Sequence, residues 1–187
     1  MEKKTNLRCL TECAILIAIA TVLSFIKLYK LPLGGSITAL SMLPIILAGY
    51  RNGFKWSVIA SFTYAFLQLM VDIAEIASWG LTAGIFAGAV VFDYLLAYGS
   101  LCLAGLFSGK KYGLLWGTLA SLPVRFIMHF ISGYVFFGSW ATEGYTPFLY
   151  SIVYNGSYML PELIITAIAA VIISNIPAIS GQEKIMR

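Results

Sequence analysis

Asp93, Arg125 and His129 stand inside long apolar runs, where ionisable side chains are costly and usually functional. Asp93 lies in "VVFDYLLAYG". A buried carboxylate needs a partner, and two are open to it. One is a ligand, for which it is a counter-charge or hydrogen-bond acceptor; the other is Arg125 or His129. Arg125 and His129 are four residues apart and so share one face of a helix. His129 is the single histidine of the chain. It can bond a ligand, pair with Asp93, or cap a polar network. Arg125 is either a partner for Asp93 or a structural clamp on a neighbouring carbonyl, and the structural role reads better.

Aromatic residues crowd the same part of the sequence: Tyr94 and Tyr98, then Tyr134, Phe136, Phe137 and Trp140, then Tyr145, Tyr150, Tyr154 and Tyr158. Interfacial belts account for many such rings in membrane proteins. Rings beside an acid also suit a flat cation, through stacking and cation–π attraction. Tyr150 and Asn155 fall in "YSIVYNGSY". Five residues are about 500° of helix, so the two share a line only if the segment is irregular, which Asn155-Gly156 would permit. An Asn amide offers both a donor and an acceptor, which suits a heteroaromatic ring bearing an amino group.

Other chemistries lack their residues. There is no Walker motif, no His/Glu zinc spacing and no G-x-S-x-G. The acids are too few and scattered for a proton relay. Cys9, Cys13 and Cys102 form no metal pattern and read as free thiols. Neither a metal nor a cofactor is expected.

The elements that hold these residues must cross a membrane. Of 187 residues, 60% are hydrophobic and 11% charged, against about 25% charged in soluble domains. The first apolar run is too long for a cleavable signal and no small-residue cleavage site follows it, so it is expected to stay as a span. Six spans are expected, near 9–26, 36–50, 54–71, 82–107, 112–132 and 149–176, within a single domain, 1–187. The second is short and contains Pro44. Its approach, "KLPLGGSIT", carries Gly34-Gly35, and a non-helical segment at membrane depth must face protein or a cavity. This loop is expected to line or lid a pocket.

Nine of the twelve basic residues fall on one side of these spans: Lys3, Lys4, Arg8, Arg51, Lys55, Lys110, Lys111, Lys184 and Arg187. The opposite loops hold Lys27 and Lys30, with Asp72, Glu75 and Glu143. The positive-inside rule makes both termini cytoplasmic and turns residues 129–162 outward. The net charge of +4 therefore reflects topology, not nucleic-acid binding. Ala14 and Ala18, four apart, let another helix approach closely, as do Gly80, Gly84 and Gly88. Packing within the bundle is the first reading of both sets.

Four stretches together resemble the thiamin-specific S components (the ThiT/YuaJ family) of energy-coupling factor (ECF) transporters: "LPLGGSIT…MLPI", "FDYLLAY", "HFISGYVFFGSWATEG" and "YSIVYNGSYMLP". The resemblance covers nearly the whole chain. It implies an all-α, six-helix membrane bundle that binds thiamin from outside with high affinity. It also implies docking on a transmembrane coupling protein that carries two ATPases, so the chain itself is no enzyme. Family contacts to the vitamin match Asp93, Tyr94, His129, Phe137, Tyr150 and Asn155, with a further aromatic at Tyr64. The helix face that meets the coupling protein matches Ala14 and Ala18, which raises that role above internal packing. Some members have Glu in place of Asp93 and Trp in place of Phe137; Trp140 is a candidate to compensate. Thiamin joins a permanently charged thiazolium to an aminopyrimidine, so an acid suits the charge or the amino group, and rings suit both faces. Rival readings are an S component for another vitamin or a thiamin precursor, a stand-alone secondary transporter, and a membrane enzyme built on Asp93 and His129. The second would need a coupling-ion site and usually repeats, and the third a nucleophile or metal.

Overall fold

A computed structural model of the chain describes residues 5–176. Lys3, Lys4, Lys184 and Arg187 lie outside the described residues. Helix α1, Asn6–Phe25, begins at Thr5, whose hydroxyl accepts from the Arg8 amide at 3.3 Å. Such a cap satisfies one of the donors that a helix start leaves orphaned. The chain then makes a short antiparallel hairpin of β1, Lys27–Lys30, and β2, Ser36–Thr38. The hairpin turns through Pro32, Leu33 and Gly34, the last at φ +91°.

Helix α2 is Leu43–Asn52, and Gly53 (φ +86°) turns directly into α3, Phe54–Ser78. The span expected at 36–50 is thus helical only in its second part. Ten residues of helix reach about 15 Å, and the glycines and Pro32 give the earlier part to the hairpin. Helix α3 runs past the expected end at 71, which carries Asp72 and Glu75 out of a loop and into its last two turns.

Helix α4 covers 83–107 but is not uniform. It opens as an α-helix capped by Thr82, widens to π geometry over Val90–Leu96, and tightens to 3-10 over Ser100–Phe107. Helix α5 is Gly113–Val135. Helix α6, Pro147–Ser174, starts with Pro at its first position behind a Thr146 cap, where the missing amide costs nothing.

Five of these helices, all but α2, are long and apolar enough to cross a membrane. Their outer faces expose Ile15, Phe66, Met70, Ile127 and Ile168, as a lipid-facing surface requires. Helix α2 is the opposite: Leu43 to Tyr50 are all buried. It is enclosed by α1, α3 and α4, and its Ile45, Ile46 and Ala48 are the middle of a core with Tyr64, Leu101, Leu114 and Leu122. Glu12 on α1 pairs with Arg51 at the end of α2. The hairpin and the starts of α4 and α6 gather at one end of the bundle. Arg8, Arg51, Lys55, Lys110 and Lys111 gather at the other. No disulfide joins Cys9, Cys13 or Cys102.

Candidate ligand-binding site

A cavity of about 120 Å³ opens at the hairpin end. One water needs about 10–15 Å³ by the same measure, so this space takes a small organic molecule rather than a lone ion. The end of α1, the hairpin and helices α3 to α6 contribute to its wall, with Ser41 and Met42 just ahead of α2.

Helix α4 supplies Asp93, Tyr94 and Tyr98, the first two from the π segment. Such segments often mark functional sites in helices. Helix α5 supplies Arg125, His129 and Ser132, one turn apart in succession, and Phe137 follows just beyond the helix. The Asp93 carboxylate is engaged at both oxygens. His129 Nδ1 lies 2.8 Å from Oδ1, and the Ser132 hydroxyl donates to Oδ2 at 2.5 Å. With Asp93 as acceptor, Nδ1 carries the ring proton and Nε2 of the neutral imidazole is an acceptor. Nε2 is buried and has no hydrogen-bond partner among the described residues. Arg125 is held elsewhere: its guanidinium lies 4.4 Å from the centre of the Tyr98 ring, and Nη1 points at the Met42 sulfur. It is a clamp between rings and core rather than a partner of Asp93.

Helix α6 presents Tyr150, Tyr154, Asn155 and Tyr158. The helix is regular through Asn155-Gly156, so the irregularity that this pair would permit is not used. Tyr150 and Asn155 both line the cavity all the same, with Tyr154 and Tyr158 beside them. The Asn155 amide works inside the protein. Nδ2 donates to the carbonyls of His129 (3.2 Å) and Ser151 (2.9 Å), and Oδ1 accepts from the Tyr158 hydroxyl at 2.8 Å. Asn155 therefore fixes α5 to α6 and aims Tyr158.

The hairpin closes the top. Leu33, Gly34, Gly35, Ser36 and Thr38 line the cavity, so the glycine loop does border the pocket, as its composition suggests. Tyr154 holds it, donating to the Pro32 carbonyl and accepting from the Gly35 amide at 3.1 Å. Glu162, fully buried, accepts from the Thr38 amide at 2.8 Å and the Thr38 hydroxyl at 2.7 Å.

Helix α3 contributes a wall that sequence reasoning missed: Gln68, Asp72, Ile76 and Trp79. Their spacing of four, four and three is one helical stripe, legible once the helix is carried beyond residue 71. Trp79 meets Phe137 edge-on at 6.3 Å. Trp79, not Trp140, is therefore the indole in the cavity; Trp140 stands behind Phe137 at 6.0 Å and is part-exposed. Tyr64 is not among the lining residues. It is fully buried and supports Tyr98 edge-on at 5.3 Å.

Away from the cavity, Ala14 and Ala18 lie on the exposed face of α1. A Cβ at Gly80 or Gly84 would meet nothing within 4 Å, whereas one at Gly88 would strike Phe136. Of these small residues only Gly88 serves packing within the bundle.

Fold and site define an all-α, multi-pass membrane protein with a walled ligand cavity at one end of the bundle. The chain belongs to the thiamine transporter protein family (Thia_YuaJ), which it matches over residues 10–179. It is 32% identical to "Thiamine transporter ThiT" of Bacillus subtilis (strain 168), over 90% of this chain and 91% of that one. It is 25% identical to the protein of the same name from Lacticaseibacillus paracasei, over 90% and 87%. A solved structure of ThiT from Listeria monocytogenes superposes with a TM-score of 0.78 at 26% identity, covering 95% of this chain and 99% of that one. The family is one of transport proteins of the cell membrane, not of enzymes.

Proposed function

We propose that the chain captures thiamin with high affinity from outside the cell as the S component of an ECF-type ABC importer. The observation that carries this reading is the Asp93–His129–Ser132 cluster facing a ring-lined cavity in a chain of the thiamine transporter family. Its acceptor nitrogen, His129 Nε2, suits the amino group of the pyrimidine. Tyr94, Phe137, Tyr150 and Trp79 offer ring faces for stacking, and Asn155 sets the wall between α5 and α6. Positive-inside placement of the basic loops turns the cavity and its hairpin outward.

Delivery follows by docking on a transmembrane coupling protein with two ATPases, which hydrolyse the ATP. Ala14 and Ala18 support this step, since they lie bare on the outer face of α1, where small residues admit a second helix closely.

Titration of the detergent-purified protein with thiamin, its two half-molecules and riboflavin tests the reading. Saturable, tight binding of thiamin over the others is expected. Preference for a half-molecule or riboflavin would assign another vitamin. Thiamin uptake by proteoliposomes holding this chain alone, driven by an ion gradient, would point instead to a stand-alone transporter.

A further inference from the structure

The cavity holds two carboxylates, and they are not equivalent. Asp93 has both oxygens engaged, by His129 and Ser132. Asp72, half-buried on α3 and also lining the cavity, accepts one hydrogen bond among the described residues, from the neutral Tyr94 hydroxyl to Oδ2 at 3.1 Å. No Lys or Arg nitrogen lies within ion-pair distance of it among the described residues. The nearby cations have other situations. Lys30 pairs with Glu75 at 2.8 Å. Arg125 lies over Tyr98. Lys27 lines the rim from the exposed hairpin strand, beyond ion-pair distance, and its charge still acts on the Asp72 carboxylate.

A carboxylate in a largely apolar wall with one neutral donor is held at a cost. A positive ligand removes that cost. A thiazolium ring, moreover, has no N–H on its charged nitrogen, so it cannot replace the directional donors on Asp93. It needs an anion set against the ring. Tyr94 anchors one oxygen of Asp72, and the residue lines the cavity.

We infer that Asp72 is a counter-charge for the positively charged ring of the ligand, while Asp93 serves to orient His129. This rests on the thiamin reading above. It assigns the recognition of charge to α3, and the recognition of the hydrogen-bonding edge to α4 and α5.

The test compares thiamin with its neutral thiophene isostere, in which carbon replaces the charged ring nitrogen. Dissociation constants of both are measured for the unmodified protein, Asp72→Asn, Asp72→Glu and Asp93→Asn. The unmodified protein is expected to prefer the cation. Asp72→Asn, whose amide oxygen still accepts from Tyr94, is expected to lose on the order of tenfold of that preference while holding the neutral isostere nearly as before. Asp72→Glu retains a preference for the cation, and Asp93→Asn weakens both ligands in parallel. An unchanged preference in Asp72→Asn, or equal loss of both ligands, would make Asp72 a structural acceptor for Tyr94 and overturn the inference. Failure of the unmodified protein to bind thiamin would overturn the thiamin reading itself, a different result from a thiamin binder indifferent to charge at residue 72.

Discussion

Thr38 and Glu162, 124 residues apart in sequence, are joined by two hydrogen bonds inside the bundle: amide to Oε2 at 2.8 Å and hydroxyl to Oε1 at 2.7 Å. Ser41 extends the cluster, its hydroxyl 2.7 Å from that of Thr38. The base of the hairpin is thereby fixed to α6. Glu162→Ala leaves two buried donors without an acceptor, at about 1–3 kcal/mol each. A lower melting temperature and faster thiamin release are expected, read by thermal unfolding and stopped-flow fluorescence. Glu162→Gln keeps one acceptor and should fall between. Release at the unmodified rate in both variants would mean that the hairpin's position does not govern ligand exit.

The tip of the hairpin is fixed by close approach. A Cβ on Gly35 would lie 2.8 Å from two ring atoms of Tyr158 and 2.9 Å from the Tyr154 hydroxyl. Gly35→Ala is expected to push the hairpin off α6 and weaken thiamin binding by about 1–3 kcal/mol, the usual scale of overpacking. Isothermal titration decides; undiminished affinity would show that the tip moves aside freely.

Asp93→Asn breaks the arrangement that fixes the His129 tautomer. A loss of about 1.5–3 kcal/mol in thiamin affinity is expected, as for hydrogen bonds to charged groups. Unchanged affinity with poor folding yield would assign Asp93 to holding α4 against α5 alone.

Trp79 is the only tryptophan that lines the cavity among the described residues. Quenching of tryptophan emission by thiamin should therefore come mainly from it. Trp79→Phe is expected to abolish most of the quenching while calorimetry still detects binding. Persistent quenching would implicate Trp140, behind Phe137.

Ala14→Trp places a large ring on the exposed face of α1, far from the cavity. Thiamin binding should be intact and uptake by the assembled importer lost. Equal damage to binding would mean that this face packs inside the bundle.

Much of the site was legible because helical spacing and chemistry agree. Arg125, His129 and Asp93 are polar residues in apolar runs, and the structure does bring His129 onto Asp93. The glycine loop announced a pocket wall through Pro32 and Gly34-Gly35. What was missed has a shared cause. Asp72 and Glu75 look like loop charges, because charge is a usual sign that a span has ended, yet the helix continues for two more turns, carrying Asp72 onto the cavity wall and Glu75 to an exposed pair with Lys30. The second span failed as a uniform helix because its membrane depth is shared with a hairpin that hydropathy cannot see. Tyr64 and Tyr98 are both rings at helical positions, and only packing tells that Tyr98 meets the cavity while Tyr64 backs it. Nothing local marks Glu162, whose partner is 124 residues away.

The π segment at Val90–Leu96 makes the pocket depend on a count as well as on identities. A π turn holds an i→i+5 bond where an α-helix holds i→i+4, so one residue there is surplus to regular winding. Deleting Val90, Val91 or Phe92 would let the helix rewind to α geometry, where Asp93 and Tyr98, five residues apart, stand about 140° from one another instead of one π turn apart. Asp93 and Tyr98 could then no longer address the same space, even with every other side chain preserved. Drift by substitution can retune this pocket for related ligands; the loss of one residue just ahead of Asp93 would erase it.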